Sequence, residues 1–193
     1  QLNATLAAAG MGIIAPGLAN LGKIFKTAKQ KQVTSFPTTP AGLGILIGRY
    51  ASVFQECFDS LKTIMVNSAP LPPDMAQSIL DLLPKTRLLV YYGLTEASRS
   101  TYADLSGSER RYLSSVGKPL GNTTVSILPE TSEILIKGDN VSPGYFKTCE
   151  TELLLHPDGI LHTGDKGDLI ADGRLVIQGR LSNELNIGGY KVD

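Results

Sequence analysis

The chain has only two cysteines, Cys57 and Cys149, and their separation offers neither a C-x-x-C pair nor Cys/His ligand spacing. That argues against a disulfide framework and a zinc site, and it makes a reducing, cytoplasmic setting the expectation. Surplus charge is missing too. Because 18 Lys and Arg balance 18 Asp and Glu, nothing drives non-specific binding to nucleic acid. Apolar runs are broken by Gly, Pro and Lys well short of the roughly 20 residues a membrane span requires. The start at Gln1 shows no signal-peptide charge pattern and is not an initiator residue, so the chain is expected to begin at a cut. No internal repeat or low-complexity tract is present. What remains is 193 residues, 42% of them apolar, enough for one domain or one and a half around a buried core.

Apolar spacing predicts a helix over 3–9, a short strand over 11–14 and a helix over 18–32. Strands are expected at 33–36, 61–66 and 87–91. Between them lie a helix or helix pair over 41–58 and an amphipathic helix over 75–83, opened by Pro72-Pro73-Asp74. Such alternation marks a mostly parallel sheet covered by helices, whose ligands sit beyond the carboxyl ends of the strands. After the polar stretch 106–111 the texture changes to short apolar runs at 125–128, 134–136, 160–161, 168–170 and 175–177. Asp158-Gly159 and Asp172-Gly173 separate several of them and are hairpin signals. The expected fold class is α/β, a mostly parallel sheet with flanking helices followed by a small antiparallel β-barrel-like subdomain, with a boundary near residue 106.

Three separated polar clusters supply complementary contacts for one nucleotide. Tyr91-Tyr92-Gly93-Leu94-Thr95-Glu96 joins an aromatic face, a hydroxyl and a hard carboxylate: Tyr92 suits purine stacking, Thr95 a phosphate oxygen and Glu96 a Mg²⁺ ion. In His162-Thr163-Gly164-Asp165 the acceptor-only carboxylate of Asp165 suits two ribose hydroxyls. Arg180, after Gly179, carries a fixed donor fork for ribose or phosphate. Taken singly, each has a plainer role: a packing tyrosine, a carboxylate at a helix N-terminus, a turn aspartate, a surface arginine. His156 and His162 accompany no Ser or Cys nucleophile pattern and are assigned structural roles. The stretch Gly17-Leu18-Ala19-Asn20-Leu21-Gly22-Lys23-Ile24 has Walker A spacing, but Ile24 replaces the hydroxyl that would ligate Mg²⁺. A helix beginning before Gly22 would leave no loop to wrap a phosphate.

In combination and order, the clusters resemble the adenylate-forming superfamily of acyl-CoA synthetases, aryl-CoA ligases, luciferases and peptide-synthetase adenylation domains. The similar stretches begin with Asn67-Ser68-Ala69-Pro70-Leu71-Pro72, Tyr92-Gly93-Leu94-Thr95-Glu96 and Ser115-Val116-Gly117-Lys118-Pro119-Leu120. They continue with Glu133-Ile134-Leu135-Ile136-Lys137-Gly138 plus Val141-Ser142-Pro143-Gly144-Tyr145, then Thr163-Gly164-Asp165, and Gly179-Arg180 with Gly188-Gly189-Tyr190.

The resemblance implies that Ser68 and Ala69 line the adenine and acyl pocket, with Gly93 beside them, and that Tyr92 stacks on adenine. Thr95 would bond the α-phosphate and Glu96 hold Mg²⁺, as the two catalytic residues, while Asp165 and Arg180 bind the ribose. It implies ATP, Mg²⁺ and coenzyme A as cofactors and a carboxylic acid as substrate, with coenzyme A or a carrier-protein phosphopantetheine as acceptor. On this basis residues 1–105 are the later part of the α/β subdomain of a large domain, 106–181 the barrel-like part, and 182–193 a hinge and the start of a small C-terminal domain. The chain departs from the family pattern in lacking a Gly- and Ser/Thr-rich phosphate loop and the late lysine of the small domain. Both ends are therefore expected to be truncated. Ser182 stands where the family has an Asp or Lys hinge, and Ser132 replaces a Gly before Glu133. The implied function is part of an ATP-dependent acyl- or aryl-CoA ligase, inactive as the 193-residue chain alone. Loading of a carrier protein, or a non-catalytic nucleotide-binding module, are the alternatives.

Overall fold

Helix boundaries follow capping chemistry. The computed structural model describes residues 2–15, 20–146, 151–153, 156–181, 185–187 and 190–192. After α1 (Leu2–Ala7), α2 (Leu21–Lys31) starts where the Asn20 side chain accepts from the Lys23 N–H at 3.0 Å. Gly22 and Lys23 thus lie in a helical turn, and residues 17–19 of the Walker-like stretch lie outside the described residues. α3 (Pro40–Arg49) is capped by Thr39, whose hydroxyl accepts from Gly42 N–H at 3.2 Å, with Pro40 in the first turn. α4 (Ala51–Cys57) follows at once, so of the helix or helix pair expected the pair forms. α5 (Pro73–Leu82) opens with Pro73 and the dipole-compatible Asp74.

Strands β1 (Ser35–Thr38), β2 (Thr63–Val66) and β3 (Arg87–Tyr92) are parallel, with Ile64 aligned to Phe36 on one side and Leu88 on the other. The polarity then reverses. β4 (Thr101–Asp104), β5 (Ser115–Pro119), β6 (Thr124–Leu128), β7 (Glu133–Lys137), β10 (Leu161–Leu169) and β11 (Leu175–Arg180) continue the same sheet in antiparallel pairs. Its order is β1-β2-β3-β4-β5-β11-β10-β7-β6, nine strands in an open ladder that does not close. The expected class is therefore present, with the antiparallel part attached to the parallel part through β4 and β5. β8 (Gly144–Phe146) pairs with β9 (Thr151–Leu153), and β12 (Leu185–Ile187) with β13 (Tyr190–Val192).

Burial alternates along β3: Leu88, Val90 and Tyr92 are buried, while Leu89 and Tyr91 on the opposite face are half-buried. The buried face belongs to a core with Leu43, Leu46, Phe54, Ile64 and Ile79. Phe54 packs on Phe58 with ring centroids 4.8 Å apart, and Phe36 meets Phe58 at 5.0 Å. Truncating the fully buried Phe54 would cost about 3–5 kcal/mol.

Two expectations are corrected. Residues 11–14 form no strand, and Met11 and Ile14 are exposed; β-prone residues make a strand only when a ladder partner supplies hydrogen bonds, and none does among the described residues. Residue 161 of one run and residues 168–169 of another belong to a single nine-residue strand, β10, which also contains Thr163-Gly164-Asp165. Asp172-Gly173 does make the β10–β11 hairpin, with Ile170 N–H bonding Arg174 O at 2.9 Å. No helix among the described residues is long and apolar enough to cross a membrane.

Candidate functional site

The site is built where the parallel strands end. Asn67 follows β2 and the Gly93–Glu96 segment follows β3, and between them opens a cleft of about 470 Å³ lined by Asn67, Tyr91, Gly93, Leu94, Thr95 and Arg99. Gly93 makes the tight approach possible. A Cβ there would lie 2.4 Å from Arg99 N and 2.8 Å from Ala97 O, closer than any real side chain tolerates. Leu94 N–H then bonds Ala97 O at 2.9 Å, closing the turn.

A second cluster lies on the other face of β3. Tyr92 is 8% exposed, and its hydroxyl donates to Asp165 Oδ2 at 2.7 Å. Arg180 donates to Asp165 Oδ1, also at 2.7 Å. Asp165 and Arg180 are direct cross-strand partners in the β10–β11 register, so their pairing is a consequence of the ladder. Burial, reinforced by the bond to Asp165, pushes the Tyr92 phenol well above the ordinary tyrosine value. A neutral donor therefore faces the carboxylate. Each carboxylate oxygen accepts one such bond and keeps capacity for a second.

Glu133 holds the neighbouring backbone. This buried carboxylate accepts from Gly164 N–H at 2.9 Å and meets His162 Nδ1 at 2.9 Å. Thr163 Oγ donates to Ile134 O at 2.7 Å and accepts from Asp165 N–H at 3.1 Å. The β10 register shifts on both flanks here, which turns the Asp165 side chain toward Tyr92. His162 thus has a structural partner, and His156 lies beside it with ring centroids 5.3 Å apart.

The predicted residues accordingly fall into groups. Tyr92, Asp165 and Arg180 are joined, while Gly93 and Thr95 line the cleft. Ser68 and Ala69 are exposed just beyond Asn67, with Ser68 in the left-handed region at φ 77°. Glu96 is half-buried, and Tyr145 donates its hydroxyl to Glu96 Oε1. Ser182, Gly188 and Gly189 lie outside the described residues. Tyr91, Asn67, Arg99 and Glu133 were missed by sequence reasoning. Strand alternation alone could have placed Tyr91 opposite Tyr92, but nothing local links Glu133 to Gly164.

As a cation site, Glu96 offers one carboxylate, and no group of three or more His, Cys, Asp or Glu gathers among the described residues. That composition fits Mg²⁺, which keeps several waters and takes one or two carboxylates plus substrate phosphates. It does not resemble an all-protein cage.

An α/β sheet with a cleft at its carboxyl ends, and a buried Tyr92–Asp165 pair joined by the exposed Arg180, belongs to the class of open-sheet proteins that bind ligands beyond their strand ends. Within it, the sequence profile described as AMP-binding enzyme matches residues 1–146, and the chain belongs to that family. It is 30% identical over 183 residues to 4-coumarate–CoA ligase-like 4 of Oryza sativa subsp. japonica, covering 89% of this chain and 33% of that protein. It is 28% identical to peroxisomal OPC-8:0-CoA ligase 1 of Arabidopsis thaliana, covering 97% of this chain and 36% of that protein. Among solved structures, ATP-bound MatB from Rhodopseudomonas palustris superposes with a TM-score of 0.76 at 27% identity, over 98% of this chain and 39% of that one. The chain thus spans about a third of the length of the curated relatives it matches.

Proposed function

We propose that the natural protein carrying this chain is an AMP-forming carboxylate–CoA ligase, and that these residues supply the ribose, adenine and metal side of its ATP site. The observation that carries this is the convergence of Tyr92 with Asp165 and Arg180 of the β10–β11 hairpin, at the end of the same strand β3 that leads into the cleft lined by Gly93 and Thr95. The likeness to CoA ligases supports the same reading.

In the reaction, a substrate carboxylate oxygen bonds to the α-phosphorus of ATP as the bond to pyrophosphate breaks. The thiol of coenzyme A then takes the acyl group and AMP leaves. Bound at Glu96, Mg²⁺ would supply positive charge to the phosphates. The protein's own part is positioning and charge stabilisation. Asp165 accepts the ribose hydroxyls on its remaining lone pairs while Tyr92 and Arg180 keep its orientation. Thr95 donates its hydroxyl to an α-phosphate oxygen. Gly93 lets the nucleotide approach the backbone.

Calorimetric titration of the natural protein with AMP tests the reading. Asp165→Asn should weaken AMP about 10- to 100-fold, the size of lost hydrogen bonds to a charged acceptor. Failure of the unmutated protein to bind AMP would sink the proposal. Comparing free coenzyme A with a phosphopantetheinylated carrier protein then decides the acceptor.

A further inference from the structure

Arg99 is a cation lining the cleft that the nucleotide assignment leaves unused. Arg87, Arg110, Arg111, Arg174 and Arg180 each pair with a carboxylate. Arg99 makes no hydrogen bond or ion pair among the described residues. Its place is also unusual. It lines the 470 Å³ cleft together with Tyr91, and the same two residues line a second hollow of about 280 Å³ formed with Met65, Leu89, Tyr102 and Leu120. One hollow is polar and runs to Thr95; the other is walled mainly by apolar side chains of the sheet. Arg99 is common to both.

The backbone beneath it is pinned. Arg99 sits in the left-handed region at φ 53°, a conformation that non-glycine residues keep only where the surroundings enforce it. Here Ala97 and Ser100 are fully buried and Ala97 bridges to Val141. Asn140 donates to Ser98 O at 3.2 Å and to Ser100 Oγ at 3.0 Å. Arg99 is therefore presented from a fixed turn into a concave space, where a planar donor fork is matched to a carboxylate.

We infer that Arg99 selects, among carboxylic acids, an acid carrying a second anionic group: the guanidinium holds that group while the body of the acid lies in the cleft between it and Thr95. The inference rests on the ligase function proposed above and names its substrate class.

The test is ATP–pyrophosphate exchange by the natural protein with matched pairs, butyrate against succinate and benzoate against phthalate. The diacid of at least one pair should be preferred. Arg99→Gln should lower the diacid-to-monoacid ratio of kcat/KM about 10- to 100-fold, the size of one lost charge-assisted hydrogen bond. Arg99→Lys should restore part of the ratio, and Arg49→Gln, on an exposed helix end away from both hollows, should leave it alone. Equal losses for monoacid and diacid with a raised KM for ATP would assign Arg99 to the phosphates and overturn the inference. A preference for monoacids that Arg99→Gln does not alter would overturn it while leaving the ligase function standing. Absence of exchange with every acid would remove the ligase function itself. In that event, titration of succinate and phthalate into the unmutated protein and Arg99→Gln still decides: binding lost in the variant supports the anion site, and equal or absent binding ends it.

Discussion

Tyr92 shows how one side chain ties stability to pH. Burial first, and the bond to Asp165 second, raise its phenol above the ordinary value of 10.0. As pH rises past that value the unfolded chain releases the proton while the folded chain keeps it, so folding loses stability. The contribution is complete below pH 10 and declines above it. Urea midpoints measured between about pH 9 and pH 11 should therefore fall more steeply for the unmutated protein than for Tyr92→Phe; parallel slopes would refute this. At neutral pH the same substitution should cost about 1–3 kcal/mol, because buried Asp165 loses a donor. The Asp165–Arg180 pair adds less, since the Arg180 side chain is 50% exposed and solvent screening leaves such pairs about 0–1 kcal/mol. Its value lies in orienting the carboxylate.

At the scale of elements, two turns carry opposite lessons. Ser132, between β6 and β7, sits at φ 58° with its N–H bonded to Leu128 O at 2.9 Å. A glycine would adopt that conformation without the Cβ penalty, partly offset by greater freedom in the unfolded chain. Ser132→Gly should thus raise stability by about 0.5–1 kcal/mol, read as a thermal midpoint a few degrees higher; a lower midpoint would contradict it. Gly117 in β5 has no such latitude. At φ 90°, an added Cβ would lie 1.8 Å from Tyr102 O, so Gly117→Ala must separate β4 from β5. A loss of more than about 3 kcal/mol is expected, visible as failure to reach a cooperative unfolding transition. Elements with local determinants were legible in advance. The prolines opening α3 and α5 and the Asp172-Gly173 hairpin act within a few residues, whereas the Asn20 cap, which starts α2 at Leu21 rather than at residue 18, was read only from the structure. β4 was not legible, because its four residues become a strand only by pairing with β3 and β5.

For the whole molecule, the 193-residue chain should show no ATP–pyrophosphate exchange with any carboxylic acid, because its own residues include no Gly- and Ser/Thr-rich phosphate loop. Such a loop contributes orders of magnitude to rate; robust exchange by this chain would overturn the expectation. The sequence by itself determined the residue types that bear the chemistry, the alternation of strand and helix and the Asp172-Gly173 turn, since these depend on side chains within one or two turns of each other. Only the tertiary structure decided which residues meet. Tyr92 finds Asp165 across 73 positions, and Asp165 faces Arg180 because register and bulge set them opposite. The one-residue shift from Tyr91 to Tyr92 sends neighbouring tyrosines to opposite faces of a sheet, one to the cleft and one to the buried carboxylate. Such pairings come from hydrogen-bond registry summed over nine strands, which no short stretch of sequence encodes.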